Sequence, residues 1–258
     1  MSRSVPETSY DRIAHLYEVD MARSMPFDDA GFYAAICREQ GGRVLELGCG
    51  TGRILLQLLD TGIDAVGIDR SGAMLDALRA RAGDRASRLK LCRMDVRALG
   101  FDRVFGTVLC PYSLITYMTA PDAAALLLAE ARRVLVDGGV LAIDAFIPRA
   151  SVDDGEWRLD YRRPYGDGVL ERSKRVTPMT PGVNRIERVY RVLSAQNELR
   201  EEVRTDETLR PFAPDALLDA VNQAGFAVST QSWDYGFARE AAGARFFALT
   251  ARALPPNC

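Results

Sequence analysis

The sequence has little of several features that would indicate a class of protein directly. Histidine occurs once, as His15, and the five cysteines form no C-x-x-C pair, so neither a zinc site nor a disulfide framework is indicated. No apolar run reaches the roughly 18 residues that a membrane-spanning helix needs. The first residues also have no apolar segment typical of secretion signals. These absences predict a cytoplasmic protein with reduced cysteines.

An excess of charge of one sign is also absent. The chain has 33 Lys and Arg residues against 35 Asp and Glu residues, a net charge of −2. Nucleic-acid-binding proteins usually carry a clustered basic face, so the balance predicts no nucleic-acid partner. The length of 258 residues suits one α/β domain with an inserted layer.

The most informative stretch is residues 44–52, which read Val-Leu-Glu-Leu-Gly-Cys-Gly-Thr-Gly. Its apolar start predicts a buried strand, and a helix is predicted from about residue 52 to 60. Glycines between a strand and a helix allow a ligand to lie against bare backbone. The spacing G-x-G-x-G differs from the dinucleotide pattern G-x-G-x-x-G. We therefore expect a cofactor site here.

From residue 43 to 147, apolar runs alternate with helical segments. The predicted strands are 43–47, 64–69, 88–92, 104–110 and 139–146, and the predicted helices between them are 52–60, 72–82 and 121–135. This alternation predicts a doubly wound parallel sheet. The carboxyl ends of adjacent parallel strands share one crevice, so Glu46, Asp69 and Asp95 are expected to converge. Asp69 could accept hydrogen bonds from ribose hydroxyls and Asp95 from an adenine amino group.

The flanking regions have a different character. Residues 9–39 predict two helices, either a packing pair or a lid over the ligand. Residues 149–210 are rich in arginine, and the segments 168–177, 184–193 and 198–209 alternate polar with apolar residues, which predicts an antiparallel sheet with one solvated face. Its arginines are interleaved with glutamates, as on a mixed-charge exposed face. If the sheet covers the acceptor pocket instead, the arginines would suit a carboxylate or phosphate.

Four motifs, taken together, resemble the class I S-adenosylmethionine-dependent methyltransferases. They are Glu46–Gly52, Gly67–Leu75, Met94–Val96 and Val134–Gly139. The resemblance implies a Rossmann-like, doubly wound, seven-stranded, mostly parallel sheet with an antiparallel last strand, and S-adenosylmethionine as the cofactor. It divides the chain into an N-terminal helical cap (1–40), the cofactor-binding core (41–148), an inserted antiparallel sheet that covers the substrate or forms a dimer contact (149–211) and a C-terminal helix with strands (212–258).

The resemblance also implies roles for individual residues. Gly48, Gly50 and Asp69 would face the methionine and ribose parts of the cofactor, and Asp95 its adenine. Met74 could lie on the adenine face, although an ordinary core position is the alternative. The complete set of cofactor candidates is Tyr17, Glu46, Gly48, Cys49, Gly50, Asp69, Arg70, Met74, Asp95, Val96 and Cys110.

The acceptor side is less well defined by the sequence. In the family the segment after the fourth strand faces the transferred methyl group, which makes Tyr112, Ser113 and Tyr117 the substrate candidates. Tyr117 and Tyr17 are the candidate orienting groups for catalysis. His15 is the one possible histidine base, although a lone helical histidine is more often a surface or packing residue. No metal site is predicted.

The acceptor class follows from two further patterns. Cys110-Pro111-Tyr112 lacks the Asn/Asp-Pro-Pro-Tyr motif of enzymes that methylate nucleic-acid bases. The arrangement of tyrosines, glycine loop and insert is similar to amino-sugar and glycine/sarcosine N-methyltransferases. We therefore expect methyl transfer to an amine or hydroxyl of a small molecule, with no membrane partner and a possible homodimer. A methyltransferase acting on protein or RNA and a non-catalytic S-adenosylmethionine-binding protein are the alternatives.

Overall fold

A computed structural model describes residues 8–21, 25–148 and 155–255 of the chain. The helices are α1 (Ser9–Ile13), α2 (Tyr17–Met21), α3 (Asp29–Gln40), α4 (Leu55–Asp60), α5 (Gly72–Arg81), α6 (Ala123–Val134) and α7 (Pro214–Gln223). The strands are β1 (Val44–Leu47), β2 (Ala65–Asp69), β3 (Lys90–Arg93), β4 (Phe105–Cys110), β5 (Leu135–Phe146), β6 (Arg158–Tyr165), β7 (Gly168–Thr180), β8 (Val183–Leu193), β9 (Leu199–Leu209), β10 (Phe226–Trp233) and β11 (Phe246–Ala253).

Seven strands form the central sheet in the order β10-β11-β5-β4-β1-β2-β3. The β1–β2, β2–β3, β1–β4 and β4–β5 pairs are parallel, whereas β11 runs antiparallel to both β5 and β10. Every residue of β1 and β4 is buried, as expected for parallel strands covered on both faces. The predicted fold class, a mostly parallel seven-stranded sheet with an inserted antiparallel sheet, is confirmed.

The glycine loop between β1 and α4 extends further than the sequence predicts. Gly48, Gly50 and Gly52 all adopt positive φ angles of 65°, 54° and 85°, a left-handed conformation that glycine adopts without steric cost. Helix α4 therefore begins at Leu55 and not at residue 52. The loop exposes its backbone at the carboxyl end of the sheet.

The inserted region forms a second, antiparallel sheet in the order β6-β7-β8-β9, hereafter the roof sheet. The sequence prediction missed β6, which contains Pro164 and several charged residues. β6 is an edge strand of the roof sheet, where a proline removes no ladder hydrogen bond that the sheet needs. The prediction also merged α1 and α2, which are separate because the chain tightens where the Leu16 amide bonds the Ile13 carbonyl at 2.9 Å.

Helices α1 and α2 lie between the roof sheet and the central domain. Ile13 and Leu16 are buried in one apolar cluster with Met74 of α5 and with Leu170 and Tyr190 of the roof sheet. This packing fixes the tyrosines of α1 and α2 beside the carboxyl ends of the central strands. Within the described ranges, no helix is long and apolar enough to cross a membrane.

Candidate active site

A cavity of about 500 Å³, hereafter the loop cavity, opens at the carboxyl ends of β1 and β2. The sequence-predicted site residues that line it are Tyr17, Gly48, Gly50, Asp69, Arg70, Met74, Asp95, Val96, Tyr112 and Tyr117. The structure therefore brings together residues from five separate segments of the chain. They come from α2, the glycine loop, the end of β2 with the start of α5, the turn after β3 and the segment after β4.

Asp69 ends β2 and faces the glycine loop. One carboxylate oxygen accepts the Gly50 amide at 2.9 Å and the other accepts the Ser71 amide at 2.8 Å. Burial raises the pKa of Asp69, although both amide hydrogen bonds oppose the shift. The bonds hold the carboxylate and the loop in one arrangement, and each oxygen keeps a lone pair that a ligand hydroxyl can use.

Asp95 and Met74 line the same cavity but differ in polarity and in solvent exposure. The Asp95 carboxylate is 42% exposed and forms a 2.6 Å ion pair with Arg97, which holds the pKa of Asp95 below its usual value. Met74 is 1% exposed and still lines the cavity. A polar acceptor and an apolar thioether at one end of a cavity suit a heteroaromatic ring with an exocyclic amine.

Glu46 lies beneath the glycine loop and does not line the loop cavity. It is 2% exposed, and its Oε2 atom has no hydrogen-bond partner among the described residues. Burial raises the pKa of Glu46 to about 8, against the lowering effect of the nearby Arg53 guanidinium. Burial therefore favours the uncharged form of this carboxyl.

A second cavity of about 650 Å³, hereafter the roof cavity, lies beneath the roof sheet. Six residues line both cavities: Ser9, Tyr10, Tyr17, Tyr112, Tyr117 and Glu207. The two cavities therefore meet at this shared wall.

Four of the six form a tyrosine cluster, composed of Tyr10, Tyr17, Tyr112 and Tyr117. The Tyr10 and Tyr117 hydroxyls lie 2.5 Å apart, and the Tyr10 ring packs edge-on against the rings of Tyr17 and Tyr117, with centroids 5.9 Å and 6.0 Å away. Burial raises the pKa of each of these tyrosines, that of Tyr112 to about 12. The four hydroxyls therefore stay protonated at neutral pH and act as hydrogen-bonding groups.

Roof-sheet residues contribute a buried ion pair next to the cluster. An Nη atom of Arg188 in β8 lies 3.3 Å from Oε2 of Glu207 in β9, and both side chains are less than one-fifth exposed. Burial raises the pKa of Glu207, and Arg188 opposes the shift. Burial opposes the charge of Arg188, but the surrounding tyrosines and Glu207 more than offset this and raise its pKa.

Asp144 of β5 holds the backbone that carries Tyr112. Its buried carboxylate accepts the backbone amides of Tyr112 at 2.8 Å and Ser113 at 2.5 Å, and the hydroxyls of Tyr33 at 2.6 Å and Tyr235 at 2.9 Å. Tyr112 and Ser113 adopt positive φ angles of 53° and 57°, which are costly for residues other than glycine. The four hydrogen bonds to Asp144 stabilise this turn.

Helix α1 is docked by Asp11, which fixes the position of Tyr10. The Asp11 carboxylate accepts the Ser71 hydroxyl at 2.6 Å and the Ala73 amide at 3.3 Å at the start of α5. The same carboxylate also accepts the Thr8 amide at 2.7 Å and so closes a capping box at the start of α1. One side chain thus ties α1 to the helix that borders the loop cavity.

Five predicted site residues do not line the loop cavity: Glu46, described above, and Cys49, Cys110, Ser113 and His15. Cys49, Cys110 and Ser113 have side chains that are 4%, 0% and 0% exposed, because Cys49 and Cys110 pack in the core and Ser113 bonds Asp144 and the Phe146 amide. His15 is solvent-exposed, and its Nε2 pairs with Glu201 of β9 at 3.0 Å. The expectation that these side chains face the ligand is therefore corrected, and His15 does not reach the tyrosine cluster.

Sequence reasoning missed Tyr10, Asp144, Arg188 and Glu207. Tyr10 had a usable signal, since it lies seven residues before Tyr17, two helical turns away on the same face. Arg188 and Glu207 meet only through the pairing of β8 with β9, in which Ile186 lies opposite Glu207. That register cannot be read from the charge pattern of either strand.

The loop cavity fits S-adenosylmethionine on its own geometry. A Cβ at Gly48 would come within 3.1 Å of the Leu114 side chain, and the positive φ of Gly48 also favours glycine, so this part of the cavity lining is bare backbone. Asp69 and Asp95 provide acceptors for ribose and adenine, and aromatic faces of the tyrosine cluster suit a cationic sulfonium. When bound, S-adenosylmethionine would supply an activated methyl group at the wall shared by the two cavities.

Comparisons with known proteins identify the family of this chain. A family model described as a methyltransferase domain matches residues 44–139. The phosphatidylethanolamine N-methyltransferase of Cereibacter sphaeroides is 33% identical over 171 residues, which cover 58% of this chain and 79% of that protein. The putative methyltransferase YqeM of Bacillus subtilis is 29% identical over 136 residues, or 52% of this chain and 54% of that protein. The chain spans about half the length of the first two curated relatives that it matches.

Solved structures extend the likeness to nearly the whole fold. The CcbJ methyltransferase from Streptomyces caelestis has a TM-score of 0.79 at 23% identity and covers 97% of this chain and 100% of its own. The sugar N-methyltransferase KedS8 from a Streptoalloteichus species has a TM-score of 0.74 at 24% identity and covers 99% and 98%. At these identities the likeness shows the fold. Together with the sequence relatives, it shows that this chain belongs to the class I S-adenosylmethionine-dependent methyltransferases, a family whose cofactor is S-adenosylmethionine.

Proposed function

We propose that this protein transfers a methyl group from S-adenosylmethionine to an amine of a small molecule held in the roof cavity. The observation that carries the proposal is the wall shared by the two cavities. A donor in the loop cavity and an acceptor in the roof cavity would meet at the tyrosine cluster and Glu207. Bringing two reactants together in one geometry is the main contribution that such an enzyme makes.

The size and cover of the roof cavity support a small acceptor. Its volume of about 650 Å³ falls within the range of small-molecule sites, roughly 300–1,000 Å³. Side chains of the roof sheet and of helices α1 and α2 line it on several sides, which favours a small acceptor over a folded protein or RNA. A hydroxyl acceptor would call for a strong base, and the protonated tyrosines of the cluster are poor ones.

The names of two relatives also support an amine as the acceptor. KedS8 is named as a sugar N-methyltransferase and the Cereibacter protein as a phosphatidylethanolamine N-methyltransferase. Both names specify transfer to nitrogen. We favour an amino sugar as the acceptor class, because the KedS8 structure matches 99% of this chain with a TM-score of 0.74.

The basic side chains that line the roof cavity bear on the expectation that arginines there would suit a carboxylate or phosphate of the acceptor. Arg172 bonds Asp20 and Asp160, Lys174 pairs with Asp160 at 2.9 Å, and Arg175 pairs with Glu187. These cations line the cavity but already have carboxylate partners, so an anionic acceptor would have to compete with them. An acidic group on the acceptor is therefore not needed for this proposal.

The test is methyl transfer from isotopically labelled S-adenosylmethionine to a panel of acceptors, followed by mass spectrometry. The panel contains amino sugars, their hydroxy counterparts, phosphatidylethanolamine vesicles and peptides with free N-termini. The proposal predicts label on the amino sugars and none on the hydroxy counterparts. Label on peptides alone would replace it with the protein-methyltransferase alternative, and label on no acceptor despite donor binding would favour a non-catalytic role.

Three further expectations belong with this proposal. A cytoplasmic location, the absence of a nucleic-acid partner and a homodimer remain predictions. The roof sheet has exposed apolar side chains, Leu159, Met179 and Leu199 at 62%, 57% and 57%, on which a dimer contact could form. Light scattering of the purified chain measures its oligomeric state directly.

A further inference from the structure

We propose that Glu207 binds the acceptor's amino group at the wall between the two cavities and thereby selects amines over hydroxyls. The inference rests on the proposed function, because it presumes an acceptor in the roof cavity. It assigns a role to a residue of the roof sheet, outside the glycine loop and the strand ends that bind the donor.

Glu207 lies where the two cavities meet. The wall shared by the two cavities consists of Ser9, the four members of the tyrosine cluster and Glu207. Glu207 is the carboxylate among them, and the tyrosine hydroxyls around it stay protonated. A nitrogen placed at this wall therefore finds one anionic hydrogen-bond acceptor and several aromatic faces.

The surroundings of Glu207 keep it in place without neutralising it fully. Arg188 approaches Oε2 at 3.3 Å, a long contact that leaves the carboxylate with unused lone pairs. The Ser9 hydroxyl of α1 donates to the neighbouring Asp206 carbonyl at 3.4 Å. Arg70 contributes a more distant positive charge that lowers the pKa of Glu207. Because the side chain is 12% exposed, water competes little for its oxygens.

The chemistry follows from hydrogen-bond geometry. An amine bound in its neutral form donates an N–H to Glu207 and keeps its lone pair for the methyl group. As the N–C bond forms, the C–S bond of the donor breaks with its electron pair going to sulfur, and the resulting methylammonium gives up its proton to Glu207 or to solvent. A hydroxyl would have to lose its only proton as its oxygen attacks, and a carboxylate is a weak base for that step. Glu207 thus orients a nitrogen that is already nucleophilic and gives a hydroxyl no comparable advantage.

The experiment uses two donor analogues, so it does not require the acceptor to be known. Sinefungin carries an amine at the position of the transferred methyl group and so places a nitrogen at the wall between the cavities, whereas S-adenosylhomocysteine has neither the methyl group nor the charge. Calorimetry measures both affinities for the unchanged protein, for Glu207→Gln and for Glu207→Asp. Glu201→Gln is the matched control, since Glu201 lies in the same strand, is exposed and pairs with His15.

The proposal predicts that Glu207→Gln lowers the affinity for sinefungin about tenfold or more, because a charge-assisted hydrogen bond is lost. The affinity for S-adenosylhomocysteine should stay unchanged. Glu207→Asp should recover part of the difference, and Glu201→Gln should change neither affinity. An equal loss for both analogues would indicate a structural role for Glu207 and would overturn the proposal. So would an unchanged sinefungin affinity.

The outcomes also separate this inference from the proposed function. If the unchanged protein binds neither analogue, the donor site itself is wrong and the proposed function fails. If it binds both and Glu207→Gln does not discriminate between them, only the role of Glu207 fails. Melting temperatures of all variants show whether each one is folded before its affinities are compared.

Discussion

The central sheet and the roof sheet build their halves of the active site by different means. The central sheet places its ligand-facing groups at strand ends and in one glycine loop, beside strands such as β1 and β4 in which every residue is buried. The roof sheet has mostly half-buried strands, and its surface carries cross-strand ion pairs such as Arg191–Glu202 at 2.8 Å. It supplies Arg188 and Glu207 from within strands β8 and β9.

The extent of the family model agrees with this difference, because it matches residues 44–139, which include the glycine loop, Asp69 and Asp95, and does not extend to the roof sheet. A donor site built on backbone geometry tolerates little change, whereas side chains within an antiparallel strand can be exchanged without altering the sheet. Substitutions in the central sheet and in the roof sheet test this difference, from the largest expected effect to the smallest.

Asp144→Ala should cause the largest loss of stability. The substitution leaves the amides of Tyr112 and Ser113 and the hydroxyls of Tyr33 and Tyr235 without their acceptor, so we expect the free energy of unfolding to fall by about 3–5 kcal/mol. Denaturant titration measures it. Asp137→Ala in the same strand changes an 82% exposed side chain and should have little effect, and a similar loss in both variants would refute the role of Asp144.

Asp69→Ala should weaken binding of S-adenosylhomocysteine about 100-fold, because two hydrogen bonds to ribose are lost and the glycine loop loses the anchor at Gly50. Calorimetry with the purified variant gives the affinity. Asp76→Ala, at an exposed position of α5, is the control. An affinity within about threefold of the original, well short of the loss expected for one such hydrogen bond, would remove Asp69 from the site.

Glu46→Gln should change how stability depends on pH. The pKa of Glu46 is raised by burial to about 8 in the folded protein, above its usual value of 4.5, so its stabilising contribution is complete at low pH and is lost as the pH rises through 8. The variant should therefore gain stability relative to the original protein as the pH rises from 5 to 9, by roughly 4 kcal/mol at about 1.4 kcal/mol per pH unit up to pH 8. Parallel unfolding curves at both pH values would contradict the raised pKa.

Arg191→Ala should have the smallest effect. Its ion pair with Glu202 lies on the exposed face of the roof sheet, where solvent and salt screen the attraction. We expect the melting temperature to change by less than about 2 °C, and by less still at high salt. A drop comparable to that of Asp144→Ala would show that the roof sheet depends on its surface ion pairs more than this comparison allows.

Much of the central half could be predicted from the sequence. Glu46, the glycines and Asp69 follow one another at fixed offsets along a strand, a loop and a second strand, and parallel strand ends must share one crevice. The resemblance of four short motifs to a methyltransferase family then supplied the ligand. Local sequence determines this half because each residue acts through the backbone next to it.

The other half depends on contacts between distant segments. Asp144 accepts bonds from residues more than thirty positions before it and ninety after it. Glu207 meets Arg188 through a strand register, and β6 was missed because Pro164 argues against a strand unless the edge position is known. His15 was chosen for its chemistry alone, and the fold places it at the surface beside Glu201.

The most direct test is a crystal structure with S-adenosylhomocysteine bound. We expect its ribose to contact Asp69, its adenine to lie beside Asp95 and Met74, and its sulfur to face the tyrosine cluster and Glu207. The roof cavity should then open directly onto the sulfur. A ligand bound with its sulfur turned away from the cluster, or outside the loop cavity, would contradict the central claim that the two cavities meet at the point of methyl transfer.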